Sequence, residues 1–171
     1  MDVVVRPWTI ADTPVRQALT DDIEVARWMS GWSQPSPAEG ALRKVTSASF
    51  QEPPQYFAIE VNGELVGGAG IEPCEDTHRG VAIVGYWLGK GHWGRGIATA
   101  TLKVLVTRAF ESGYRRLQAS VFEPNIASIR VLEKAGFKCE GRLRASYVQR
   151  DGTTCDELIF GKVVGDGDET Q

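Results

Sequence analysis

Apolar and polar positions along the chain change period several times, and each change marks an element. Val3-Val4-Val5, closed by Arg6-Pro7, reads as a short strand. "TIADTPVRQAL" then opens a helical stretch with Thr9 as its N-cap, and Asp21 stands where it would cap a second one, "DIEVARWM". Ser36-Pro37-Ala38-Glu39 joins a capping box to a proline at the first helical position. It predicts a helix running toward Ser49 that stops before Pro53-Pro54. The link between these helices, "WMSGWSQP", is a loop dense in aromatic and small residues.

The period then shortens to two. "QYFAIEV" and "ELVGGAGI" are alternating runs on either side of Asn62-Gly63, a strong hairpin signal. Glu75 to Gly80 is polar and aperiodic, a turn, and "VAIVGYWLG" makes a third strand of an antiparallel meander. Helical spacing returns at Ala98, Leu102, Leu105, Ala109 and Phe110, and Gly113 ends that helix. "RRLQASVF" is a further strand, so strand, helix and strand form a βαβ crossover that makes two central strands parallel. A second helix, Ala127 to Ala135, ends at Gly136, and "RLRASYVQ" with "TCDELIFGKVV" forms a C-terminal hairpin about Asp151-Gly152. The fold expected is therefore α+β with a mixed sheet. Residues 1–164 read as one domain, followed by a short acidic tail, 165–171, expected to be disordered.

Composition narrows the function classes. The chain has 171 residues, 19 Lys+Arg against 22 Asp+Glu, and a net charge of −3, which argues against electrostatic nucleic-acid binding. "MDVVVRPW" carries an acid and too short an apolar run for a signal peptide, and no stretch reaches membrane-spanning length. Cys74, Cys139 and Cys155 are odd in number and lack ligand spacing, so they read as reduced thiols of a cytoplasmic protein with no metal site.

The chemistry is signalled by "GHWGRGIATATL", where three glycines fall within six residues and lead into a helix. Gly89-Lys90-Gly91-His92-Trp93-Gly94 formally fits the dinucleotide pattern G-x-G-x-x-G. A meander precedes the loop, however, and the nearest strand-end acid, Glu123, comes too late, so a Rossmann oxidoreductase is disfavoured. A nucleoside-triphosphate loop fails as well, because Arg95 follows Gly94 and no Gly-Lys-Ser/Thr occurs. A strand-to-helix turn with no ligand is the plain alternative. Trp93-Gly94-Arg95-Gly96-Ile97-Ala98, taken with the downstream "NIASIRVLEKAGF", resembles the paired signatures of the GNAT superfamily of acyl-CoA-dependent N-acetyltransferases. "GYWLGKGHWGRGIAT" and "FEPNIASIRVLEKAGFKCEGRLR" are most similar to the branch acting on ribosomal-protein N-termini, and to relatives acting on polyamines or small amines.

The resemblance implies acetyl-CoA as co-substrate, an amine acceptor (a small molecule or a protein N-terminus), and site residues to go with them. The pyrophosphate would meet the backbone N–H groups of Gly94, Arg95, Gly96, Ile97, Ala98 and Thr99, where the helix N-terminus favours an anion. Trp93 stands where the family usually carries Arg or Gln at the start of this loop, and it reads as a packing residue beside the cofactor. The pantetheine arm would lie along Trp87, Leu88 and Gly89, whose backbone N–H groups would polarise the thioester carbonyl. Asn125 would contact the arm or its water, and Ser128 would protonate the leaving sulfur. Helix capping is the plain alternative for both.

The general base is less marked. Ile83 occupies a position where relatives often carry Glu, which leaves Glu72, ahead of Glu123, as the candidate carboxylate. Tyr147 stands where some relatives place a late base, and reads as a pocket wall or a hydroxyl ligand. Trp28, Met29 and Trp32 are candidates for the substrate mouth, or else ordinary core aromatics. A second copy of the chain is a further candidate partner; nucleic acid and membrane are not. The competing function is an acyl-CoA-binding sensor or regulatory module without catalysis, kept open by the missing Glu at Ile83.

Overall fold

Asn62 and Gly63 both adopt left-handed backbone angles, φ 50° and 82°, as a two-residue hairpin turn requires. They join β2 (Tyr56–Val61) to β3 (Glu64–Pro73) in an antiparallel pair. The computed structural model describes residues 2–29, 38–49, 53–149 and 152–166 of the chain. Within them β1 (Val3–Pro7) pairs antiparallel with β2, and β4 (Val81–Leu88) runs parallel to β5 (Arg116–Phe122). β6 (Lys138–Val148) and β7 (Thr154–Val163) form the last hairpin. The seven strands hydrogen-bond in the order β1-β2-β3-β4-β5-β7-β6, the mixed sheet expected from the meander, crossover and hairpin. The helices are α1 (Thr13–Thr20), α2 (Ile23–Ala26), α3 (Ala38–Ser49), α4 (Ile97–Glu111) and α5 (Ile126–Lys134).

Local chemistry accounts for where several elements start. Thr9 and Asp12 form a capping box ahead of α1, with the Asp12 carboxylate accepting from the Thr9 N–H at 2.8 Å. Asp22, not Asp21, caps α2, accepting from the Glu24 N–H at 2.8 Å. The shift has a cause: Asp21 closes α1, its N–H donating to the Gln17 carbonyl at ψ 3°, whereas Asp22 has the extended backbone of an N-cap, ψ 123°. α3 ends at Ser49, ahead of Pro53-Pro54 as expected, while Ser36 and Pro37 of its capping signal lie outside the described residues. β3 departs from alternation, because Leu65 to Ile71 are buried without interruption. β6 begins at Lys138, four residues earlier than its apolar pattern suggests, and is exposed over most of its length, as suits the strand at the end of the order.

Contacts divide the chain into two compact units that interleave along the sequence. One comprises Met1–Ile71 with Gly85–Thr101, the other Glu72–Val84 with Leu102–Gln171. The first is centred on Trp8, Val45, Ala48, Ala58 and Leu65, with Leu19 and Trp87 packed against them. In the second, Leu102, Leu105 and Ala109 bury one stripe of α4, and Leu117, Ala119 and Val121 bury one face of β5. Full burial of a Leu or Phe, as at Leu117 and Phe160, contributes about 1.5–3 kcal/mol. Cys74, Cys139 and Cys155 are free thiols. The tail expected from Gly165 begins in ordered contacts: the Asp166 carboxylate accepts from Lys138 Nζ and from the Val163 N–H, each at 2.9 Å. Residues 167–171 lie outside the described residues.

Candidate active site

Between β4 and α4 the chain makes a short 3-10 turn, Lys90–His92, and then extends through Trp93. Gly94 and Gly96 have φ of 72° and 78°, a region that side-chain-bearing residues rarely enter. A Cβ placed on either would meet nothing within 4 Å, so open space adjoins the backbone there. The Ala100 N–H donates to the Gly96 carbonyl at 3.0 Å, so helical bonding starts at Ala100. The N–H groups of Ile97, Ala98 and Thr99 precede it and have no acceptor within an α-helix. An open-faced row of donors at the positive end of a fifteen-residue helix suits an anion. Arg95 is exposed beside it.

The same unit packs tightly behind that loop. A Cβ on Gly67 would sit 2.2 Å from the Trp87 carbonyl oxygen, and one on Gly68 would sit 2.6 Å from the Trp87 indole nitrogen. The glycines of β3 therefore let the end of β4 come close. The Gly89 N–H donates to the Val66 carbonyl at 2.9 Å, so that donor is already spent within the protein. The Trp93 indole N–H donates to the Leu88 carbonyl at 2.8 Å, which ties the strand end to the start of the loop. Trp93 is otherwise exposed.

Behind Trp87 lies Arg16, which no motif in the sequence picks out. Its guanidinium carbon is 5.8 Å from the ring centroids of both Trp8 and Trp87, and those two rings stack 6.4 Å apart. Burial pulls its pKa down to about 10. Lys44 is also shifted down, by burial and then by the neighbouring charges of Arg16 and Arg43. His92 is mostly buried; its Nε2 lies 3.8 Å from Glu64, and its Nδ1 has no partner among the described residues.

The remaining candidates belong to the second unit. Asn125 is the N-cap of α5, its side-chain oxygen accepting from the Ser128 N–H at 3.2 Å. The capping alternative therefore holds for Asn125, while Ser128 takes part through its backbone. Glu72 is exposed at the end of β3, and Ile83 is exposed on β4. Glu123 is paired with Arg142 at 3.1 Å, which makes it a poorer free base than its position alone suggests. Tyr147 is half-buried and stacks on Phe122, ring centroids 3.9 Å apart. Of the expected mouth residues, Trp28 and Met29 are half-buried in the first unit, with Arg27 over the Trp28 ring at 4.8 Å, and Trp32 lies outside the described residues. Among the described residues no group of His, Cys, Asp and Glu gathers as a metal site, and no helix is long and apolar enough to cross a membrane.

Comparison with known proteins agrees with this geometry. A family model described as an acetyltransferase (GNAT) domain matches residues 2–138. An uncharacterized N-acetyltransferase, p20 of Bacillus licheniformis, is 29% identical over 163 residues, 92% of this chain and 90% of its own. The ribosomal-protein-serine acetyltransferase of Escherichia coli is 28% identical over 111 residues, 64% of this chain and 61% of its own. Among solved structures, Mycobacterium smegmatis RimJ in complex with CoA-disulfide superposes with a TM-score of 0.85 at 25% identity, covering 98% of this chain and 85% of that one.

Proposed function

The chain belongs to the GNAT acetyltransferase family, and from that premise we propose that it transfers acetyl from acetyl-CoA to a primary amine, on a protein N-terminus or a small molecule. The observation that carries the proposal is the loop Gly94–Thr99, with two left-handed glycines, open space beside them and unspent helix N–H groups. Bound there, acetyl-CoA supplies an acetyl thioester activated toward amines. The N–H groups of Gly94 to Thr99 hold its pyrophosphate, and Arg95 adds positive charge. Trp93 and Leu88, tied by their hydrogen bond, hold the loop to the strand end along which Trp87 and Leu88 line the arm.

In the reaction the amine nitrogen forms a bond to the acetyl carbon and the carbon–sulfur bond breaks. One proton leaves the nitrogen and one is taken up by the sulfur. Glu72, directly or through water, takes the first, since Glu123 is engaged with Arg142. The Ser128 hydroxyl gives the second, and Asn125 positions α5 beneath it by capping. Tyr147 walls the acceptor side. Most of the acceleration comes from holding amine and thioester together.

The test is release of free thiol from acetyl-CoA in the presence of a panel of amines and N-terminal peptides. At least one acceptor is expected to support turnover. Gly96→Glu, which sets a carboxylate and a disfavoured φ against the phosphate, is expected to abolish acetyl-CoA binding by calorimetry while the melting transition persists. Unchanged affinity in that variant counts against the loop. Tight acetyl-CoA binding by the wild type with no acceptor turned over would favour the non-catalytic module.

A further inference from the structure

Three residues of β6 stand opposite one residue of β7. Leu143 pairs with Glu157 and Tyr147 with Cys155, so Arg144, Ala145 and Ser146 must all be accommodated against Asp156 alone. The bulge is pronounced enough to place Ala145 at φ 50°, in the left-handed region, without the freedom of a glycine. Conformations of this kind cost roughly 1–3 kcal/mol and persist only where neighbours fix them.

Asp156 holds the centre of this one, and the Ser146 hydroxyl also donates to Glu157 at 3.3 Å. One oxygen of the Asp156 carboxylate accepts from the Ala145 N–H at 2.8 Å, and the other accepts from Arg142 Nε. Arg142 in turn bonds Glu123 at 3.1 Å, and the Asp156 carbonyl accepts from the Glu123 N–H at 2.9 Å. One residue therefore fastens the bulge, the strand before it, and the end of β5. Immediately beyond the bulge is Tyr147, stacked on Phe122, the last residue of β5. The bond from Ala145 and then the one from Arg142 hold the Asp156 carboxyl below its ordinary range, so it keeps its charge throughout the neutral region. These contacts are made by partly exposed side chains, and they hold the residues directly before Tyr147, which itself pairs with Cys155 and stacks on Phe122.

We propose that Asp156 is a positioning residue for the amine acceptor, acting through the β6 bulge on Tyr147. The inference rests on the reading above in which Tyr147 walls the acceptor side. It assigns a role in specificity to a residue whose carboxylate is engaged by the Ala145 N–H and by Arg142. The strand pattern gives no hint of it, because the aspartate lies eleven residues from the amide it anchors, across a hairpin.

The test is a double-mutant cycle on the full chain with Asp156→Ala, Tyr147→Ala and the combination, read as separate KM values for amine and acetyl-CoA, with kcat. Asp156→Ala is expected to raise the amine KM about tenfold, leaving the acetyl-CoA KM within twofold. In the Tyr147→Ala background the same change is expected to add less than twofold, because its route to the acceptor has been removed. Asp156→Asn keeps an acceptor for the Ala145 N–H and is expected to fall between wild type and Asp156→Ala. Equal effects on both KM values, or full additivity with Tyr147→Ala, would overturn the proposal. Hydrogen exchange at the Ala145 amide provides a readout independent of turnover, and it is expected to accelerate in Asp156→Ala. A wild type that turns over no amine would sink the acetyl-transfer reading, whereas an unchanged Ala145 exchange rate would sink the clamp itself.

Discussion

Ser128 sits three residues into α5, where its backbone N–H, not its hydroxyl, completes the cap made by Asn125. That distinction sharpens the kinetic test of its proposed role. Ser128→Ala retains the N–H and with it that cap bond, so any fall in melting temperature reports on the hydroxyl and not on the cap. If the hydroxyl protonates the departing sulfur, kcat falls while acetyl-CoA affinity holds, since the interaction forms chiefly in the transition state. A fall of about 10²-fold is expected, the low end for general acid catalysis, because a thiolate is a tolerable leaving group unaided. Steady-state kinetics and thermal melting on one preparation check it. Wild-type kcat with a lowered melting temperature would return Ser128 to a structural role.

At the scale of elements, the start of α1 makes a prediction about pH. Asp12 is mostly buried and accepts two bonds from Arg6, at 2.8 and 2.9 Å, besides those from the Thr9 backbone and hydroxyl. Arg6 first, then Thr9, hold its carboxyl below the ordinary value against the opposing effect of burial. A carboxyl depressed in the folded state adds stability that is fully present above its unfolded pKa and is lost as pH falls through the folded one. Asp12→Asn is therefore expected to lower stability at neutral pH by roughly 1.5–3 kcal/mol, the range for hydrogen bonds to charged groups. The gap between the variant and wild type should narrow once pH drops below about 4. Thermal melts across pH 2–8 check this, and a gap that persists undiminished at the acid end would reject the assignment.

The same scale shows what a sequence of this kind makes legible. Local codes read through: Asn62-Gly63 set a turn, Thr9 an N-cap, and Gly94 and Gly96 an open backbone ahead of α4. Family signatures carried the fold, since each matched a strand end or a helix start that backbone geometry dictates. What did not read through depends on partners distant in the chain. Arg16 looks like a surface position on a short helix, yet it is buried against Trp8 and Trp87, the latter seventy-one residues away. Gly67 and Gly68 look like weak strand formers until the backbone and ring of Trp87 are placed where their side chains would be. The three-against-one bulge at Asp156 leaves no mark on the alternation of β6, which is exposed on both faces there.

At the scale of the whole molecule, the strand order has a consequence for synthesis. β7, the last strand of the chain, hydrogen-bonds along one side to β5 and along the other to β6. As the chain leaves the ribosome, β5 and β6 must wait for it, each carrying a row of unmatched backbone donors and acceptors toward the strand still to come. A chain stopped after Gln149 would never receive that strand. It is expected to partition into aggregates on expression, whereas one stopped after Asp166 is expected to remain in the supernatant with native circular dichroism. A folded, monomeric product from the shorter chain would refute this. In a cell, an interrupted or clipped message for this protein would then yield material for proteases and chaperones, with no smaller working acetyltransferase surviving from it.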